Sequence, residues 1–126
     1  MAEPADVSCG WYPPHVLGRR GEDLAVRWYE QHGYEILARN WSCLGGEIDI
    51  VAATGRLVVF CEVKSRSSLS FGSPAEAVGP AKQARLRRLA AWWFAQRGPY
   101  VVPGASVRFD VACVLGAQLE MLEGAF

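Results

Sequence analysis

The chain reads as an α/β sandwich around a mixed β-sheet. Two observations predict this. Helical and strand periodicities alternate in the order helix, three strands, helix, strand. The link between the third and fourth strands is about 40 residues long and contains the second helix, which is long enough for a crossover to a parallel strand.

At 126 residues the chain predicts one domain, and 51% apolar content is enough for a real core. Residues 1–17 hold Pro4, Pro13 and Pro14 without periodicity and are predicted to be a flexible tail, leaving residues 18–126 as the domain. The first helix is expected over residues 19–32. Leu24, Ala25, Trp28 and Tyr29 form its apolar stripe, and Gly33 suits its C-terminal cap. Glu22 and Asp23 fall in the first turn, where the macrodipole favours acids, and that role accounts for Glu22 by position alone. Tyr34 to Arg39 follows as a short strand, and Asn40 to Gly46 as a loop.

The hairpin comes next. Its arms are Glu47-Ile48-Asp49-Ile50-Val51 and Leu57-Val58-Val59-Phe60-Cys61-Glu62-Val63-Lys64, with a turn at Thr54-Gly55. Asp49 shares a face with Glu47 and Val51, while Ile48, Ile50 and Ala52 share the other. That turn pairs Ala53 with Arg56, sets Asp49 opposite Phe60, and makes Glu62 a diagonal neighbour on the same side. Residues 65–79 are Ser- and Gly-rich and read as loop, with a short helical turn near Pro74–Val78. Pro80 opens the second helix, which runs to about Gln96 and is stopped by Gly98-Pro99. Its apolar face is Ala84, Leu86, Leu89, Ala90, Trp93 and Phe94. Trp92 lies off that stripe. Residues 100–105 read as loop and Ser106–Leu115 as a buried final strand, with Asp110 on the side opposite Val107, Phe109 and Val111.

Net charge is zero, with 13 basic and 13 acidic residues, so any basic surface is local. Of those basic residues 11 are Arg, and the two Lys stand at 64 and 82. Lysine is a compact charge with a tunable pKa, which Arg does not replace. The four cysteines form no CxxC pair, so a zinc site is not expected. Cys61 and Cys113 sit in apolar runs, and nothing suggests a disulfide framework, which fits a cytoplasmic location. No stretch approaches the roughly 20 apolar residues of a membrane span, and no signal peptide is evident.

Acids are depleted in strands, and burying one without a partner is costly. Asp49 and Glu62 nevertheless stand at one end of an otherwise apolar face, with Lys64 beside Glu62. Two carboxylates on adjacent strands suit a hard cation such as Mg²⁺, which takes oxygen ligands, and the Val63 carbonyl is a further donor. Lys64 could orient or deprotonate a water and stabilise a charged transition state, so the set suits phosphodiester hydrolysis. The competing reading is a solvated Glu62–Lys64 pair with Asp49 as an exposed strand residue. Lys82, Arg85, Arg87 and Arg88 give the second helix a basic first half, which suits either phosphate contact or a solvated face.

Asp49 followed by Glu62-Val63-Lys64 resembles the signature of the PD-(D/E)XK nucleases, with Ile48 where the superfamily name has Pro. Gly21-Glu22-Asp23-Leu24-Ala25, Arg39-Asn40-Trp41, Gly46-Glu47-Ile48-Asp49-Ile50-Val51, Glu62-Val63-Lys64-Ser65-Arg66, Phe71-Gly72-Ser73-Pro74 and Arg108-Phe109-Asp110-Val111 together resemble the YraN/UPF0102 family. The family is similar in layout to archaeal Holliday junction resolvases. The resemblance implies a restriction-endonuclease-like three-layer α/β/α sandwich and a metal-dependent endonuclease acting on DNA, such as branched or flap DNA. It implies Asp49, Glu62 and Glu22 as ligands of Mg²⁺ or Mn²⁺, with Lys64 as the catalytic lysine. Ser65, Arg66, Lys82, Gln83 and Arg85 are the candidate nucleic-acid contacts, and a homodimer follows by analogy with the resolvases. The alternative is a catalytically silent nucleic-acid-binding or adaptor protein of the same fold.

Overall fold

Three β-rich runs joined by tight turns build a meander before the chain leaves the sheet. The computed structural model describes residues 10–11, 16–66, 78–97 and 104–126. Its elements are β1 (Gly10–Trp11), α1 (Val16–Gln31), β2 (Glu35–Cys43), β3 (Gly46–Thr54), β4 (Leu57–Arg66), α2 (Pro80–Arg97), β5 (Ser106–Leu115) and β6 (Gln118–Leu122). The six strands form one sheet in sequence order. Every neighbouring pair is antiparallel except β4 and β5, which run parallel from Leu57↔Ser106 to Arg66↔Leu115. The α2 segment supplies the crossover that a parallel pair requires.

The helices cover opposite faces. Ala25 and Tyr29 of α1 pack on Ile50, Ala52, Val59, Cys61 and Ala112. Leu86, Leu89, Ala90 and Trp93 of α2 pack on Val51, Val58, Phe60, Phe109 and Val111. Phe60 meets Trp93 and Phe94 edge-to-face and stacks on Phe109, an arrangement favoured by the ring quadrupoles. This is the restriction-endonuclease-like α/β/α layout around a mixed sheet. Gly46 allows the close approach of α2, because a Cβ there would lie 2.7 Å from Leu89 Cδ1. No helix among the described residues is long and apolar enough to cross a membrane.

Several local expectations are corrected. α1 begins at Val16, three residues before the expected start, so Glu22 and Asp23 lie beyond its first turn, which holds no acid. The dipole account of Glu22 therefore fails. β2 continues to Cys43 through what reads as loop. Gly10–Trp11, inside the expected tail, pairs as β1 with Ser42 and Trp41 of β2. The hairpin turns on Gly55-Arg56, with Thr54 paired to Leu57 and Gly55 at φ 56°. The register is thus displaced by two residues from the expected one. A displacement of two preserves the side-chain parity, so the shared face of Asp49 and Glu62 survives. Ile48 leaves its expected face and packs with Trp41 and Val51 on the α2 side. Opposite this point Asn40 takes a left-handed φ of 51°, which turns β2 over. Cys43 is disulfide-bonded, a pairing that the cysteine spacing does not suggest, while Cys61 and Cys113 are free. Ala84 stays exposed. The remaining tail, residues 67–77 with most of the helical turn near Pro74–Val78, the Gly98-Pro99 stop and residues 100–103 lie outside the described residues.

Asp110 is fully buried on the α1 side and has four donors. Arg108 grips it through Nε (2.8 Å) and Nη2 (2.9 Å), the Tyr29 hydroxyl donates at 2.7 Å, and the Gly124 amide donates at 2.9 Å. These contacts tie α1, β5 and the C-terminal turn together, and Asp110 is structural as its pairing with Arg108 suggests. Burial and the anionic neighbour both raise the Tyr29 hydroxyl pKa, keeping it protonated as the donor.

Candidate active site

The acid pair is made by the hairpin. Ile50 pairs with Cys61, so one step further along β3 and β4 sets Asp49 opposite Glu62. There the ladder ends, and the Asp49 carboxylate takes over its role by accepting the Val63 amide at 2.8 Å. The Asp49 carboxyl is pushed up to about 8, first by burial and then by the Glu62 charge across the strands. Glu62 is itself 6% exposed.

Two lysines converge on Glu62. Lys82 Nζ lies 2.5 Å from Glu62 Oε2, and Lys64 Nζ lies 3.6 Å from the same oxygen. Lys64 reaches it from two residues along β4, as the pleat dictates. Lys82 reaches it from the first turn of α2, after the crossover. The lysines differ in proton affinity. Burial and then the neighbouring Lys82 lower the Lys64 pKa. Burial also presses on Lys82, but its hydrogen bond and attraction to Glu62 prevail and raise it.

Glu22 occupies a separate setting. Its Oε1 accepts from Asn40 Nδ2 at 2.7 Å and from Arg39 Nη2 at 3.4 Å, and Arg39 also reaches Asp23 Oδ1 at 2.7 Å. Burial raises the Glu22 pKa in spite of these partners, and Glu47 adds to the rise. Exposed Glu47 also raises Asp49, so it lies electrostatically between the two. The four acids thus form a string, Glu22, Glu47, Asp49 and Glu62, with Arg39 at one end and the lysines at the other. Among the described residues no three His, Cys, Asp or Glu side chains meet as a group able to hold one ion. The structure therefore brings Asp49, Glu62, Lys64 and Lys82 together and leaves Glu22 tied to β2.

The other candidates are placed as follows. Ser65 is exposed, and a Cβ on Gly21 would lie only 2.6 Å from its Oγ, so α1 crosses β4 closely beside the site. Arg66 ends β4, and its side chain lies outside what is described. The Gln83 side chain turns back to donate to the Val78 carbonyl at 2.9 Å, bracing the start of α2. Arg85 is exposed one turn after Lys82. Sequence reasoning gave no role to Arg39, Asn40 or Glu47. The left-handed position of Asn40 has a compositional signal, since Asn tolerates that region better than most residues.

Comparison with known proteins places the sequence in a family. Residues 21–114 match the model of the "Uncharacterised protein family UPF0102". A UPF0102 protein of Leifsonia xyli is 52% identical, covering 80% of this chain and 83% of its own length. One from Beutenbergia cavernae is 49% identical over 86% of this chain and 94% of its own, and one from Streptomyces griseus is 52% identical over 79% and 82%. The matched span includes most of α1, the hairpin, all of α2 and most of β5, and the chain belongs to the UPF0102 family.

Proposed function

We propose that this chain is a Mg²⁺- or Mn²⁺-dependent nuclease of the PD-(D/E)XK kind that hydrolyses DNA phosphodiester bonds, on branched or flap DNA. The observation that carries this reading is the pairing of Asp49 with Glu62 across β3 and β4, with two lysines on Glu62. The donor set fits a hard cation: two carboxylates face each other, and their mutual repulsion raises Asp49 toward neutrality in the absence of positive charge on its side. Asp49 and Glu62 would hold the ion, with the Val63 carbonyl as a further oxygen donor. Such an ion, when bound, supplies Lewis-acid stabilisation of charge on the phosphate.

The chain's own groups divide the remaining work. Lys82 stays charged beside Glu62 and holds a phosphate oxygen at the mouth of the site. Lys64, with its lowered pKa, releases its proton more readily and can accept the proton of an attacking water at Nζ. Glu22, held by Asn40 and Arg39, anchors α1 beside the hairpin. Exposed Arg85 continues the cationic track along α2 for the DNA backbone. Two copies in a homodimer would address two strands.

Labelled linear, flap and four-way DNA, incubated with Mg²⁺ or Mn²⁺, tests the reading. Wild type should cut and Glu62→Ala should not. Equal cutting by the two proteins removes the assigned site.

A second reading has its own observation. The Lys82–Glu62 contact and the engagement of Glu22 leave a site already neutralised by protein groups, as a catalytically silent nucleic-acid-binding or adaptor protein would have. In that case DNA binding is unchanged by Asp49→Ala and by metal, and calorimetry detects no Mn²⁺ binding that Asp49→Asn abolishes.

A further inference from the structure

Helix α2 carries five basic residues and no acid over Pro80–Arg97, in a chain whose net charge is zero. Three of the five are engaged within the protein. Lys82 meets Glu62, the Arg87 guanidinium lies 5.0 Å and 5.4 Å from the ring centroids of Phe109 and Phe126, and the Arg97 guanidinium lies 5.0 Å from that of Trp93. Arg85 and Arg88 have no such partner among the described residues.

Both arginines are exposed, and so is Trp92, at 40%. At 3.6 residues per turn, Arg85, Arg88 and Trp92 fall within an arc of about 60°, on the side of α2 opposite buried Leu86, Leu89, Ala90 and Trp93. Ala84 and Ala95 border the same arc, and side chains that short leave the indole open. The stripe spans roughly 10 Å of helix at 1.5 Å per residue.

Charge selects the occupant of this face. A second copy of it would set like charges against each other, which is unfavourable at an interface. An anionic partner complements the two guanidinium groups. An acidic polypeptide supplies charge without flat faces for the indole. A DNA duplex supplies phosphates but keeps its base faces inside the stack. An unpaired strand supplies both phosphates and free base faces.

We infer that the stripe of Arg85, Arg88 and Trp92 binds an unpaired DNA strand, with the arginines on its phosphates and one base stacked on Trp92. The stripe starts one turn beyond Lys82, so a strand lying along it leads toward the Asp49–Glu62 pair. The inference rests on the proposed function for the choice of DNA, and it does not require the acid pair to cut.

Fluorescence anisotropy of the full chain in EDTA tests it with three labelled probes: a single-stranded oligonucleotide, a blunt duplex of the same sequence, and a strand of the same length whose nucleotides lack bases. The single strand should bind most tightly, and removing its bases should raise the Kd by about 5- to 100-fold, the range of one stacked base. Trp92→Ala should raise the Kd of the base-bearing strand by a similar factor and leave the abasic strand unchanged, and Trp92→Phe should restore most of the affinity. Arg88→Ala should weaken both strands and lower the slope of log affinity against log salt by about 0.7. A chain that cuts nothing but binds in this pattern loses the nuclease reading and keeps the stripe. A chain that cuts while Trp92→Ala binds the strand like wild type loses the stripe alone. An abasic strand or duplex bound as tightly as the single strand, polyglutamate competing as well as DNA, or a dimer in sedimentation that Trp92→Ala dissolves would each overturn the inference. The comparison of probes uses the wild-type chain, so it decides the matter even where a variant shows no cooperative urea transition.

Discussion

Replacing Asp110 with Ala should be among the most destabilising single changes in this chain. The carboxylate is fully buried and receives four hydrogen bonds, two of them from one guanidinium. Truncation deprives the buried Tyr29 hydroxyl of its acid partner, leaving the Cys61 thiol and a 3.6 Å contact to Met121 Sδ. It also leaves Arg108 with Tyr34 and with Glu123 at 3.6 Å as its remaining partners. Removing one member of such a buried pair typically costs about 3–5 kcal/mol, against about 5–15 kcal/mol for the whole stability of a domain. Tyr29→Phe removes a single donor and should cost about 1 kcal/mol. The double variant should cost less than the sum, because the hydroxyl has already lost its acceptor in Asp110→Ala. Urea unfolding followed by far-ultraviolet circular dichroism gives all three values from the midpoint shifts. A cost below about 1 kcal/mol for Asp110→Ala, or full additivity with Tyr29→Phe, would refute the assignment of Asp110 as the tie between α1 and β5.

Three further outcomes are expected. Asp49 has a folded-state pKa raised from 3.8 to about 8, so the native state holds a proton that the unfolded state has released between those values. Its contribution is therefore complete below about pH 4 and is lost as pH rises through about 8; Asp49→Asn should flatten the stability–pH curve over that window by on the order of a few kcal/mol, measured by urea midpoints at stepped pH. Gly46→Ala drives a methyl into Leu89 Cδ1 at 2.7 Å and should cost about 1–3 kcal/mol in a thermal melt, with Gly46→Ala/Leu89→Ala recovering part of the clash. Lys82→Met should weaken DNA binding and lower the slope of log affinity against log salt by about one, provided Lys82 contacts phosphate; an unchanged slope in a salt series removes it from the interface.

The sheet and helices were legible because their periodicities are strong: β5 occupies the span read from Val107, Phe109 and Val111, and α2 starts at Pro80. The hairpin register is ambiguous by two residues in the sequence, since Thr54-Gly55 and Gly55-Arg56 are both short glycine turns. The face shared by Asp49 and Glu62 was recoverable nonetheless, because only parity mattered. The switch of Ile48 to the other face was not legible, as it depends on the left-handed Asn40 across the sheet. Nor was the grip of Lys82 on Glu62, because no local pattern relates residues from either side of a crossover. Glu22 looks like a first-turn acid in the sequence because the start of α1 at Val16 carries no strong capping residue to mark it.

That division between hairpin and crossover has a kinetic consequence. Asp49 and Glu62 are joined by a short turn, and contacts of that range close within microseconds. Lys82 reaches Glu62 only after the parallel β4–β5 pairing and the α2 docking are under way, and such nonlocal pairing is intrinsically slow. The folding chain should therefore pass through a stage in which two carboxylates already face each other and their lysine has yet to arrive. Early folding should be slowed by high pH, which charges both acids, and the final docking of α2 should be the step that salt slows.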